Sequence, residues 1–69
     1  MNISARNVLK GKVVSITSGV VNTEVVIELS GGSQIVSIIS KISAEKLGLR
    51  KGRKAYAVIK ASNVMLATD

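Results

Sequence analysis

VNTEVVIELSGGSQIVSIIS, residues 21–40, is the stretch on which the fold turns. Val21, Thr23, Val25, Ile27 and Leu29 fall on one face, and Asn22, Glu24 and Glu28 on the other. Val26 is the apolar exception on the polar side. Successive side chains of a strand point to opposite faces, so this is the pattern of a half-buried β-strand. Gly31-Gly32 comes next, and two glycines accept the positive φ that the corners of a hairpin require. QIVSIIS, residues 34–40, is then the returning strand.

Upstream, LKGKVVSI, residues 9–16, begins as a strand with Lys10 and Lys12 around a flexible point at Gly11. A turn is expected at Ser18-Gly19, with Gly19 free to take positive φ. Downstream, SAEKLGL, residues 43–49, is the only helical candidate, with Ser43 as its cap and Gly48 as its left-handed end. RKGRK, residues 50–54, reads as a solvated loop, AYAVIK, residues 55–60, as a strand, and NVMLAT, residues 63–68, as a last one. The predicted class is all-β with one short helix, in a single domain over residues 1–69. Five strands with a small helix between the third and fourth is the order of an OB-like five-stranded, partly open barrel. A sandwich or an SH3-like barrel would show the same spacing.

The chain has 69 residues, with no cysteine and no histidine. A core of this size rarely supplies more than about 3–5 kcal/mol without a staple. Disulfides are excluded, and four scattered acids build no soft-metal site, so no metal cation is expected. Association is the remaining staple, and a homo-oligomer is predicted. No apolar run reaches signal-peptide or membrane-spanning length, so the expectation is a soluble, intracellular protein. The formal net charge of +6 points to an anionic partner, although charge also serves solubility.

Enzyme chemistry finds little support. Ser-His and Cys-His catalysis lack their base. Glu24 and Glu28 lie about 13 Å apart on a strand, too far for most carboxylate pairs acting on one bond. Neither a phosphate loop nor a dinucleotide fingerprint is present. A basic OB-like module could grip single-stranded nucleic acid electrostatically through Lys51, Arg53 and Lys54. Such binders, however, stack bases on aromatic side chains, and Tyr56 is the only aromatic here. Nucleic acid is therefore the second choice of partner.

A deprotonated tetrahedral oxyanion presents only acceptors, so its site needs donors and positive charge without carboxylates. Charge-assisted hydrogen bonds from Arg or Lys are short and strong, and a helix start adds backbone N–H groups. Three acid-free stretches have this character: Ser4-Ala5-Arg6-Asn7, Ser40-Lys41-Ile42-Ser43 and Lys60-Ala61-Ser62-Asn63. Taken singly, each has an ordinary explanation as a free terminus, a helix cap or a turn.

SARN, residues 4–7, then LKGKVV, GVVNTEVVIELSGG and VIKASNVML, in this order, resemble the molbindin family, the small Mop proteins with a molybdate-binding TOBE-type domain. The resemblance implies a cytoplasmic protein that binds molybdate, and usually tungstate, as a free ligand with no covalent cofactor. It implies molybdenum storage or homeostasis rather than catalysis. The implied assembly is a hexamer, a trimer of dimers that exchange an N-terminal strand. Carried over by residue, the oxyanion site comprises Ser4, Ala5, Arg6, Ser40, Ser43, Lys60, Ala61 and Ser62. Ser4 and Arg6 would face Lys60 and Ala61 of a neighbouring subunit. A second site near the threefold axes falls around Gly19, Val20, Val21 and Asn22. This chain departs from the family in carrying Val8 where many relatives have Gln, and in its heavier basic loop at residues 50–54. The scarcity of aromatics argues against a pterin ligand.

Overall fold

The computed structural model describes residues 1–69. It contains β1 (Asn7–Ser18), β2 (Asn22–Leu29), β3 (Gln34–Ser40), α1 (Lys41–Leu47), β4 (Lys54–Ile59) and a 3₁₀ turn at Ala61–Asn63. The strands form one antiparallel sheet in the order β3-β2-β1-β4.

The alternation read in residues 21–29 appears as pairing and burial. Thr23, Val25 and Ile27 are buried, and Glu24 and Glu28 are exposed. Val21 is the exception: the strand starts one residue later, and Val21 is 70% exposed. Gly31 and Gly32 take φ of 94° and 96° in the turn between β2 and β3, as a two-glycine corner requires.

β1 is longer than the sequence suggested and bends. Its residues 7–12 pair with β4 and its residues 11–18 with β2, and a bulge between Val13 and Ser15 joins the two halves. An extra residue in one strand bends it and strengthens its twist, which curls the sheet into a half-barrel. Gly11 is not a break in this strand. It pairs with Leu29 on one side and Ala55 on the other, and a Cβ there would lie 2.7 Å from the Glu28 carbonyl oxygen. Gly19 likewise avoids positive φ. Its N–H donates to the Asn22 carbonyl at 2.7 Å, an approach that a side chain would obstruct.

The expected fifth strand is absent. After β4, the Asn63 N–H donates to the Lys60 carbonyl at 2.8 Å and the Val64 N–H to the Ala61 carbonyl at 3.3 Å. This turn leads residues 64–69 away from any ladder, with Met65 and Leu66 more than 90% exposed. β-branched and apolar residues favour strands only where a partner and a surface receive them, and one chain offers neither here.

Val13, Val25 and Ile27 form the core, flanked by Ile16, Leu29, Ile35, Ile39 and Leu49. Only five of 69 residues are buried, so packing within one chain is thin. Between β3 and β4 the half-barrel stays open as an apolar groove of about 680 Å³, whose lining includes Ile35, Val36, Ile39, Leu49 and Ala57. No helix is long and apolar enough to cross a membrane.

Candidate functional site

The three donor-rich stretches fall at two ends of the sheet. Asn7 pairs with Ile59, and its Nδ2 donates to the Ile59 carbonyl at 3.2 Å. The ladder therefore sets Ser4-Ala5-Arg6, just before β1, beside Lys60-Ala61-Ser62, just after β4. Arg6 and Lys60 belong to the same end of the same chain, whereas the resemblance divided them between subunits.

The other end holds Ser40 and Ser43. The sequence places the helix cap at Ser43, but α1 starts at Lys41 and Ser40 caps it. Ser40 Oγ accepts the Ser43 N–H at 3.0 Å and donates to Ser43 Oγ at 2.8 Å. Capping by a hydroxyl three residues ahead of the N–H it receives is the usual N-cap geometry, and two serines three apart leave the sequence ambiguous about which one caps. Gly48 ends the helix at φ 64°, as read from the sequence. The Gly19–Asn22 segment lies next to Ser40 and not apart from it: Asn22 pairs with Ser40, and the Lys41 N–H donates to the Val21 carbonyl at 2.8 Å.

No hydrogen bond joins the Arg6–Lys60 cluster to the Ser40–Ser43 cluster. Ser4, Arg6, Ser40, Ser43, Lys60 and Ser62 are all exposed. In water a single charge pair at contact distance is worth only about 1 kcal/mol. Each cluster alone is thus an open set of donors, and a tight site requires a second surface to close over it. The sequence also missed the role of Asn7, whose side chain ties the start of β1 to the end of β4; its place beside Arg6 was the one available hint.

The TOBE domain family model matches residues 3–66. The chain is a TOBE domain of the Mop family. Molybdenum-pterin-binding protein 1 of Clostridium pasteurianum is 54% identical over 66 residues, covering 96% of this chain and 97% of that protein. Among solved structures, MopII from Clostridium pasteurianum superposes with a TM-score of 0.92 at 52% identity, over 97% of this chain and all of that one. ModG, a cytoplasmic molybdate-binding protein crystallised with molybdate bound, gives a TM-score of 0.91 at 49% identity. The match covers 94% of this chain and 46% of ModG.

Proposed function

We propose that this TOBE domain binds molybdate as the free oxyanion and serves molybdenum storage or homeostasis in the cytoplasm. Tungstate, nearly equal in size and charge, is the second ligand. The observation that carries this reading is the kinship with relatives named for molybdenum and molybdate binding, along almost the whole chain. The acid-free donor clusters support it chemically. Tyr56, the one aromatic, pairs with Lys10 in mid-strand, away from both clusters, which favours an inorganic anion over a pterin.

The assembly we propose is a homohexamer of strand-exchanged dimers, in which the Arg6–Lys60 end of one subunit meets the Ser40–Ser43 end of another. Exchange keeps Arg6 beside a Lys60, because a swapped β1 start takes the same place on the partner's β4. Enclosure between subunits also removes water, so each charge-assisted hydrogen bond gains strength.

Calorimetric titration with molybdate, with sulfate as control, tests the function. Saturable molybdate heat with little response to sulfate is expected, and no molybdate heat overturns it. Arg6→Ala and Lys60→Ala each remove a charge-assisted bond of about 1.5–3 kcal/mol. Affinity should fall roughly ten- to a hundredfold, with the far-ultraviolet circular dichroism unchanged. Unaltered affinity in both variants would sink the site.

A further inference from the structure

The outer face of the sheet carries a feature that the oxyanion clusters leave unexplained. Val8, Lys10 and Lys12 of β1 alternate onto that face, and the register sets Val58, Tyr56 and Lys54 of β4 directly opposite them. All six are exposed. The basic loop that leads into Lys54 is ordered against the bulge of β1. The Gly52 N–H donates to the Val13 carbonyl and the Val13 N–H to the Arg53 carbonyl, both at 2.8 Å. The Arg53 N–H closes the turn on the Arg50 carbonyl at 3.0 Å, and Arg53 Nη1 donates to the Gly48 carbonyl at 3.0 Å. Lys10, Lys12 and Lys54 thus share the outer face with the chain's single aromatic, Tyr56, while Arg53, beside the buried Val13, lines the inner groove. Glu28, opposite Lys12 on β2, is the one carboxylate that the ladder sets beside them.

Lys12 and Lys54 face each other across the ladder. Like charges directly opposite destabilise a sheet, and four acidic side chains cannot neutralise ten basic ones. The arrangement suits a bound polyanion that would relieve the repulsion. We propose that this face docks single-stranded nucleic acid. Lys10 and Lys12 stand about 6.7 Å apart along the strand, so both can meet the phosphates of one extended backbone. Tyr56, 49% exposed beside Lys10, offers a plane on which a base can stack. Aromatic stacking with backbone neutralisation is how sheet-based domains hold single strands without reading sequence. An acidic protein would balance the charge but leave Tyr56 unused. None of these residues belongs to the proposed oxyanion site, so the two readings stand or fall separately.

Fluorescence anisotropy with a labelled short oligothymidylate, between about 50 and 200 mM salt, tests the proposal. Binding should weaken with salt at a log–log slope of about −0.7 per phosphate contact. Lys10→Gln and Lys12→Gln should each make that slope shallower by about 0.7. Tyr56→Leu should weaken binding about tenfold and leave the slope intact. Molybdate titrations of the same variants should match the parent. No anisotropy change at about 50 mM salt overturns the proposal. So does a Lys12→Gln/Lys54→Gln variant that binds as the parent does, or competition by polyglutamate as effective as by oligothymidylate.

Discussion

Thr23 is the most deeply buried polar residue, 1% exposed, and its Oγ1 has no hydrogen-bond partner. Its backbone and β-branched shape suit β2, since it pairs with Ser18 and Ile39 on the face that forms the core. The hydroxyl is the misfit. A buried polar group without a partner costs about 1–3 kcal/mol, whereas valine has the same outline without the oxygen. Thr23→Val should therefore stabilise the protein by about 1–2 kcal/mol. In a domain this small that is a rise of several degrees in Tm, read by calorimetry. An unchanged or lowered Tm would mean that the hydroxyl is satisfied, by a trapped water or by a neighbouring subunit. Alternation in the sequence showed which way Thr23 points; that nothing meets it there depends on three-dimensional packing.

At the level of elements, the hairpin of β2 and β3 was legible because its two signals are local: a period of two and a pair of glycines. The missing fifth strand rested only on the apolar run Val64-Met65-Leu66-Ala67 and has no partner within the chain, and a ladder is a property of two segments. The bulge that bends β1 left no composition mark, because Val13, Val14 and Ser15 are ordinary strand residues. The candidate site was legible to a similar depth. Its donor residues stand out by chemistry, yet the register that sets Arg6 beside Lys60 and sends Ser40 to the far end comes only from topology. α1 sharpens the point, since Ser40 acts both as a structural cap and as a proposed anion contact. Ser40→Ala should cost about 1 kcal/mol of stability by leaving the Ser43 N–H without its acceptor. Ser40→Asp keeps a side-chain acceptor at the cap, so urea unfolding should show near-parent stability. The same variant places a carboxylate beside a dianion, and molybdate affinity should drop sharply. Parent-like affinity in Ser40→Asp would remove Ser40 from the site and leave it a cap alone.

For the whole molecule, surface area supports the proposed assembly. A folded monomer of 7.2 kDa is expected to expose about 4,100 Å², whereas this chain exposes 5609 Å². The excess of about 1,500 Å² is larger than the roughly 800 Å² that each partner contributes to a standard interface. The radius of gyration points the same way: 12.7 Å, against about 11 Å for a compact domain of this length. The extra surface includes the β3 side of the open groove, with exposed Val36, and exposed Ile38, Leu47, Met65 and Leu66, a distribution that suits burial against further copies of the chain. With five buried residues in the chain, the proposed assembly should draw most of its stability from contacts between copies. When folding and association are coupled, the apparent Tm rises with protein concentration. Scans across a hundredfold range should therefore show Tm climbing by several degrees, alongside a multimeric mass in sedimentation equilibrium. Val36, at the mouth of the groove and 60% exposed, provides the control. Val36→Lys disturbs little within one chain but sets a charge against an apolar contact, so it should lower both the mass and the Tm. A monomeric mass with a concentration-independent Tm would mean that this thin core folds unaided. The intersubunit closure of the two donor clusters would then be lost with it.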